Sequence, residues 1–287
     1  MKQLKDYQVP LSIDDQITNL IHIGMKINDI EYAKYILERV SYYRLIKAYS
    51  LTLKDNGFYK VGTTFEDVVN IYNFDKDLRY LLFSIIEQIE IKFRSNMANY
   101  FSLQYGNFGY RDLDNFKNKD LQIHVLENID AEIKRNERSP FIKNFMNNYI
   151  EGKVPFYAAV EVTTFGCLSK FYKNMKNIDK KAIAKNFGLN YSYFESWIEN
   201  YAYIRNICAH YGRLYNAKLT KKPILYKEFT SKGIKNDSIF ASILNCKYVI
   251  DEDEYKEFIK QLKLLLNKYK GIDIKCLGFP EKWENLV

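Results

Sequence analysis

The sequence is poor in the residues that could tie the chain together covalently or hold a metal ion. Its 287 residues include only four cysteines and three histidines. The cysteines are Cys167, Cys208, Cys246 and Cys276, and no two of them have the spacing of a metal site or a redox pair. A disulfide framework is not expected in a chain of this length. We therefore expect no metal, no cofactor and a reducing, cytoplasmic environment.

Long hydrophobic runs are missing as well. Residues 1–10 are polar and charged and lack the apolar core of a signal peptide. No segment approaches the length of a membrane-spanning helix. These absences predict a soluble protein that has no membrane partner.

Acidic residues are outnumbered by basic ones. The chain has 43 Lys and Arg against 35 Asp and Glu, which gives a net charge of +8. Such a balance favours polyanionic partners, and nucleic acid before an anionic membrane surface. Lys, Asn, Ile and Tyr are all abundant, however, and that composition is also typical of a protein from an A/T-rich genome. The charge is therefore compatible with RNA binding without establishing it.

Helical periodicity runs through nearly the whole chain and predicts an all-α fold. Capping pairs predict helices that start at Ser12, at Asn28 (running towards residue 49), at Thr63 (running to about residue 103) and at Ser192. Further helices are expected at about 121–135, after residue 140, and at about 156–175, 238–249 and 253–269. No strand pattern is strong, although residues 56–63 could hold a short hairpin. We expect residues 1–60 to form a helical segment packed on a core domain of residues 61–287, as one compact unit.

One short segment combines the side chains needed to cut RNA without a metal. It is Arg205-Asn206-Ile207-Cys208-Ala209-His210, near the end of a predicted helix. A histidine can move a proton near neutral pH. An arginine can hold a phosphate and stabilise additional negative charge on it. We therefore take Arg205, Asn206 and His210 as the candidate catalytic residues.

A helical wheel separates this segment into two faces. At 100° per residue, one face is apolar and carries Trp197, Tyr201, Ile204, Cys208 and Tyr211, whereas the other is polar and carries Glu199, Tyr203, Asn206, His210 and Arg213. Asn206 and His210 are four residues apart and should be neighbours on the surface. Gly212 is expected to end the helix, which places His210 in its last turn. Arg205 lies off this row, but its long side chain could swing over it.

Weaker candidates for contact with RNA lie nearby and elsewhere in the chain. They are Arg213 in the predicted exit turn, Arg44 between aromatic residues, and Tyr215 and Lys218 in a predicted loop. The alternative interpretation is that His210 is an ordinary surface histidine and Arg205 a solvated charge.

A second polar set lies on the long predicted helix. Glu87, Glu90 and Arg94 fall on one face of it. They could hold the helix that carries His210 in place, or contact RNA. Alternatively, they form an ion-pair row within their own helix, which is the interpretation that the spacing favours.

Several blocks of the sequence, in order, resemble the Abi-like proteins of bacteria (abortive infection, AbiD/AbiF type). The most specific is Tyr203-Ile204-Arg205-Asn206-Ile207-Cys208-Ala209-His210-Tyr211-Gly212-Arg213-Leu214-Tyr215-Asn216. The others are Ser41-Tyr42-Tyr43-Arg44-Leu45, Phe74-Asp75-Lys76-Asp77-Leu78-Arg79, residues 87–94, residues 155–173 and Gly278-Phe279-Pro280-Glu281-Lys282-Trp283. Together they cover nearly the whole chain.

The resemblance implies a HEPN-type helical bundle with additional N-terminal and C-terminal helices, in which an R-x4-H motif cuts RNA. It also implies a role in phage defence or as a toxin controlled by an antitoxin, and some similar proteins occur beside a small non-coding RNA. Because this chain has one such motif, we expect a homodimer with two copies of His210 at one site. The alternative is a non-catalytic RNA-binding protein in complex with a small structured non-coding RNA.

Overall fold

The computed structural model describes residues 9–287, and it confirms the all-α prediction. The helices are α1 (Ile13–His22), α2 (Ile30–Arg39), α3 (Phe65–Tyr105), α4 (Lys119–Arg135), α5 (Pro140–Asn148), α6 (Phe156–Val162), α7 (Phe165–Asn174), α8 (Asn177–Lys185), α9 (Tyr191–Ala209), α10 (Lys227–Thr230), α11 (Ile239–Cys246) and α12 (Glu252–Lys268).

The remaining regular structure is short. Strands β1 (Lys54–Asp55) and β2 (Phe58–Tyr59) form an antiparallel hairpin, in which Asn56 and Gly57 both have positive φ angles, as a two-residue hairpin turn requires. The hairpin that the sequence allowed is thus present, starting two residues earlier. A π-helical turn spans Tyr43–Lys47. Turns of 3-10 helix span Leu51–Leu53, Gly109–Arg111, Leu113–Asn115, Ile150–Gly152, Ile274–Leu277 and Trp283–Asn285.

Helix starts lie within two residues of the predicted caps. Ser12 caps α1 as predicted, by accepting a hydrogen bond from the backbone N–H of Asp15 at 3.1 Å. The other three caps are Asp29, Thr64 and Asn190 rather than Asn28, Thr63 and Ser192. In each case the residue used is the one whose side-chain oxygen reaches an unpaired N–H of the first turn.

Two predicted helices are shorter than expected. The second ends at Arg39, because Val40 is in an extended conformation with φ −127° and ψ 108°. The helix predicted over 156–175 is divided into α6 and α7, since Thr163 and Thr164 are both extended. The hydroxyl of Thr164 then caps α7 by accepting from the N–H of Cys167 at 3.2 Å.

The chain forms two compact units, one made of Met1–Leu78 with Leu265–Ile272 and the other of Arg79–Leu264 with Asp273–Val287. The domain boundary expected at residue 60 stays a prediction. In the first unit, α1 packs against α2. The buried Asp75 carboxylate accepts a hydrogen bond from the Tyr49 hydroxyl at 2.6 Å, and Asp77 accepts from Lys268 and Tyr269 at 2.8 and 2.7 Å.

The second unit is built around α9 and an aromatic core. Helices α7, α8 and α11 pack against α9, and α4 packs against α6 and α7. The fully buried Phe93 ring of α3 contacts the rings of Phe165, Tyr172 and Phe194, with centroids 5.6 to 6.0 Å apart. These side chains fix α3, α7 and α9 against one another, and α9 is the helix that carries the candidate motif.

The helices within residues 9–287 lack the properties of a membrane span. Not one of them combines the necessary length with sufficient hydropathy.

Candidate functional site

The inner face of α9 is buried as the wheel predicts, up to the end of the helix. Trp197, Tyr201, Ile204 and Cys208 are all less than a tenth exposed. Tyr211 was predicted on the same face, and that prediction is wrong, because its side chain is 66% exposed. The wheel fails there because the helix ends at Ala209, and a residue beyond the end no longer follows helical spacing.

The end of α9 is a Schellman motif, which fixes the backbone around His210. His210 is the C-cap residue directly after Ala209, the last residue of α9, and Tyr211 follows in the left-handed conformation with φ 57°. The N–H of Gly212 donates to the carbonyl of Ile207 at 2.7 Å, and the N–H of Tyr211 donates to the carbonyl of Cys208 at 3.2 Å. This is the bond pattern that satisfies the last carbonyls of a helix.

The positions of glycine and tyrosine in this motif are unusual. The left-handed position is generally occupied by glycine, yet here it holds Tyr211. Glycine is required at the next position instead, since a Cβ on Gly212 would lie 2.8 Å from Cγ2 of Ile207. A strained residue thus directly follows His210, which is a feature found at functional sites.

Asn206 and His210 lie together on the exposed side of this helix end. Both residues are exposed, and the N–H of His210 donates to the carbonyl of Asn206 at 3.0 Å. Gly166, in the first turn of α7, lies beside the Asn206 amide: a Cβ at Gly166 would be 3.8 Å from Asn206 Nδ2. The structure therefore places the amide and the imidazole where a ligand from solvent could reach both.

Arg205 contacts α3. Its Nε lies 3.5 Å from Oε2 of Glu90, and its guanidinium carbon lies 5.6 Å from the centre of the Phe83 ring. That Nε is buried and makes no hydrogen bond, so the contact with Glu90 is purely electrostatic. About a third of the Arg205 side chain remains exposed. The contacts with Glu90 and Phe83 position the Arg205 side chain against α3.

The carboxylate of Glu90 is shared between two arginines. Its Oε1 accepts from Nε of Arg94 at 3.1 Å and from Nη2 of the same guanidinium, while its Oε2 faces Arg205. Arg94 also donates to the carbonyl of Val160 in α6. Glu90 is 8% exposed. The ion pair within α3 that the sequence favoured is present, and Glu90 also holds Arg205 of α9, while Glu87 is exposed and outside this cluster.

Arg79 supports the segment that follows His210. This buried arginine of α3 donates from Nη1 to the carbonyl of Gly212 at 3.2 Å. From the sequence, Arg79 was singled out only as the last residue of the block Phe74-Asp75-Lys76-Asp77-Leu78-Arg79. Nothing in its spacing indicated that it would hold the exit turn of α9, because that contact depends on how α3 and α9 pack.

The weaker candidates for RNA contact differ in how exposed they are and in which compact unit they lie. Arg213 is half-buried next to the motif, and Lys218 is exposed. Tyr215 is only 2% exposed, so its ring offers no free face to a base. Arg44 is exposed in the first compact unit, whereas the motif lies in the second.

Glu199 anchors the polar face of α9. Its carboxylate accepts from Lys221 at 2.6 Å and from Lys173 of α7 at 3.2 Å. Partial burial acts to raise the pKa of Glu199, but these two hydrogen bonds outweigh it and lower the pKa below its ordinary value. The charged form is therefore favoured, and α9 is tied to α7 and to the segment around Lys221.

The chemistry available at this helix end is that of proton transfer and anion binding. His210 offers an exposed imidazole. The three side chains Arg205, Glu90 and Arg94 carry a net charge of +1, which leaves the cluster attractive to a phosphate. In the part of the chain that the structure describes, no group of three or more His, Cys, Asp or Glu side chains comes together as a metal site.

The chain matches the model of a known protein family. The family model for Abi-like protein matches residues 35–216. This span contains the motif of α9, Glu90 with its two arginine partners, and also Arg79. Comparison with curated proteins and with solved structures finds no match. Since the matched span is well over half of the chain, the chain belongs to the Abi-like protein family.

Proposed function

We propose that this protein is an endoribonuclease of bacterial phage defence, of the abortive-infection or toxin–antitoxin type. Membership of the Abi-like family supports the biological role. The observation that carries the chemistry is the arrangement at the end of α9, where Asn206 and His210 are exposed side by side and Arg205 is held by Glu90. The proposed reaction is RNA cleavage without a metal ion.

The reaction uses the RNA's own 2′-hydroxyl as the nucleophile. The 2′-oxygen forms a bond to phosphorus while the bond from phosphorus to the 5′-oxygen breaks. A base takes the proton of the 2′-hydroxyl, and an acid gives a proton to the leaving 5′-oxygen. The products are a 2′,3′-cyclic phosphate and a 5′-hydroxyl, and no electron or outside reagent is required.

Each of the three motif residues has a role in this scheme. The exposed imidazole of His210 transfers protons. The guanidinium of Arg205 stabilises the negative charge that builds up on the phosphorus centre, where a preorganised cation is most effective. Its contact with Glu90 keeps it in place before RNA arrives. The amide of Asn206 orients the phosphate or the imidazole.

Two copies of the chain would complete the site. One histidine does not readily serve as base and acid in the same step, and His210 is the only histidine of the three that follows an arginine at this spacing. A homodimer with a two-fold axis would bring two His210 side chains to one phosphate. Arg213, which follows the motif closely in sequence, would contact a neighbouring phosphate of the bound RNA.

The test is cleavage of end-labelled RNA in the presence of a chelator. His210→Ala should lower the cleavage rate by a factor of about 10² to 10⁴, which is the usual contribution of a general acid or base. His124→Ala is the matched control, since His124 is also exposed and its ring pairs with Glu127 on its own helix. This variant should cleave at the wild-type rate.

RNA binding, measured in parallel, separates this proposal from its rival. Loss of cleavage with RNA binding retained in His210→Ala supports the ribonuclease. If the wild-type protein binds RNA and never cuts it, the protein is a non-catalytic RNA-binding protein, and the ribonuclease proposal is wrong.

A further inference from the structure

A cavity of about 860 Å³ is lined by residues that lie outside α9. Three segments that are distant in sequence line it: residues 216–218, residues 233–238 and residues 275–281. The third segment contains the block Gly278-Phe279-Pro280-Glu281, which the ribonuclease proposal leaves without a role. The volume is in the range of pockets that hold a small organic ligand.

The walls of this cavity are fixed by close contacts between the segments. The N–H of Leu219 donates to the carbonyl of Asp237 at 2.8 Å, which joins the first segment to the second. A Cβ on Gly278 would lie 2.3 Å from Cβ of Ser238, so glycine is needed where the third segment meets the second. Phe279 then packs on Phe240 with ring centroids 4.5 Å apart. The cavity is therefore a built feature of the fold.

The charged groups of the lining favour an anionic ligand. It contains three lysines, Lys218, Lys235 and Lys275, and two carboxylates, Asp237 and Glu281. Both carboxylates are already neutralised, Asp237 by Lys222 at 3.7 Å and Glu281 by Lys275 at 3.3 Å. Lys218 and Lys235 make no ion pair with any residue from 9 to 287. Two uncompensated ammonium groups thus face one space.

The cavity is also within reach of the RNA proposed to bind at His210. Asn216 lies on its rim and follows His210 by only six residues. Even a fully extended segment of that length spans no more than about 20 to 22 Å. The wall also contains Ser238, the N-cap residue of α11, at the positive end of the dipole of that helix.

We propose that this cavity binds a nucleotide through its phosphate, with Lys218 and Lys235 as the phosphate-binding residues. The nucleotide is either a free one or one of the RNA strand, and the same chemistry recognises both. Binding at this site does not require RNA cleavage by His210. The proposal can therefore be tested independently of the proposed ribonuclease activity.

The experiment is calorimetric titration of the full chain with adenosine 5′-monophosphate, with adenosine, and with a 2′-O-methyl hexanucleotide that cannot be cut. The wild-type protein should bind at least one phosphate-bearing probe and should bind adenosine at least tenfold more weakly. The double variant Lys218→Gln/Lys235→Gln should lose about tenfold or more in affinity for that probe. The control Lys134→Gln/Lys143→Gln removes the same charge from two exposed lysines of α4 and α5. It should retain affinity within about twofold.

The outcomes separate the two sources of the phosphate and the two proposals. Weakened binding of the mononucleotide alone assigns the cavity to a free nucleotide, whereas weakened binding of the hexanucleotide assigns it to the RNA strand. Equal affinities in the double variant and the control overturn the proposal, as does adenosine binding as tightly as its monophosphate. The titrations involve no cleavage, so a failure of the ribonuclease proposal leaves these results unchanged.

Discussion

At the scale of single residues, Glu90 is the side chain on which the motif depends most. A buried carboxylate is costly unless cations and hydrogen bonds compensate it, and Glu90 has both, from Arg94 and Arg205. In return it fixes Arg205 in one orientation on α9. Because the two guanidiniums outnumber the carboxylate, the cluster keeps a positive charge with which it could meet a phosphate.

Removing the charge of Glu90 should affect both stability and activity. In Glu90→Gln the two guanidiniums lose their common counter-charge, and we expect the free energy of unfolding to fall by about 2 to 3 kcal/mol. Cleavage by the folded protein should fall on the order of tenfold or more, because Arg205 is no longer held. Urea denaturation and a cleavage assay measure the two effects.

Glu87→Gln is the matched control for this change. Glu87 lies nearly one turn before Glu90 on α3 and is exposed, so its variant should change the free energy of unfolding by less than about 0.5 kcal/mol. If both variants behave alike, Glu90 is not a positioning residue for Arg205.

The placement of the motif residues on their own helix could be predicted from the sequence, but their contacts with residues of other helices could not. The wheel placed Asn206 and His210 together on an exposed face, because both positions obey the geometry of one helix. The contact of Arg205 with Glu90, and that of Arg79 with Gly212, join α9 to α3. Such contacts depend on how two helices pack, which the spacing within either helix does not determine.

At the scale of elements, the end of α9 is the feature that determines the backbone conformation around His210. Its Schellman motif orients the backbone of His210, yet places Tyr211 in a conformation that costs an L-residue about 1 to 2 kcal/mol. Arg79 offsets this cost in part by holding the carbonyl of Gly212. The protein thus retains a strained turn immediately after its candidate catalytic histidine.

Relief of this strain should be measurable. Tyr211→Gly and Tyr211→Ala both remove the tyrosine ring and whatever it contacts, and they differ only in the cost of the left-handed backbone. We expect Tyr211→Gly to be more stable than Tyr211→Ala by about 1 kcal/mol, and to melt at a higher temperature. Equal melting temperatures would show that position 211 carries no backbone strain.

Element boundaries were predicted less well than element types. Several caps are shifted by one or two residues, as at Thr64 and Asn190, because neighbouring polar residues compete to satisfy the same N–H groups. The division of α6 from α7 at Thr163 and Thr164 has a similar origin. Local propensity allows either conformation there, and packing against the rest of the unit decides between them.

At the scale of the whole molecule, the α9 motif, Glu90 and the lysine-lined cavity all belong to the compact unit formed by Arg79–Leu264 and Asp273–Val287. The all-α fold class followed from periodicity alone. The cavity could not be foreseen, since three segments far apart in sequence form it. A single R-x4-H motif per chain is what makes the number of chains part of the proposed mechanism.

Mixing of subunits tests whether two chains share one site. Wild-type protein and His210→Ala, mixed in equal amounts and allowed to exchange, should give about a quarter of the wild-type activity if each site requires two histidines. Activity that falls only to about one half, in proportion to the wild-type fraction, would mean that each chain cuts RNA alone. Analytical ultracentrifugation of the same mixtures shows whether dimers have formed.

The most direct measurement is the chemistry of the cut itself. An RNA should be incubated with the protein and a chelator, beside the same RNA carrying a 2′-deoxy sugar at the cleaved position, and the product ends identified by mass spectrometry. We expect 2′,3′-cyclic phosphate and 5′-hydroxyl ends from the RNA, no cut at the 2′-deoxy position, and no product from His210→Ala. Cleavage at the 2′-deoxy position, or products with 3′-hydroxyl ends, would contradict 2′-hydroxyl attack at the end of α9.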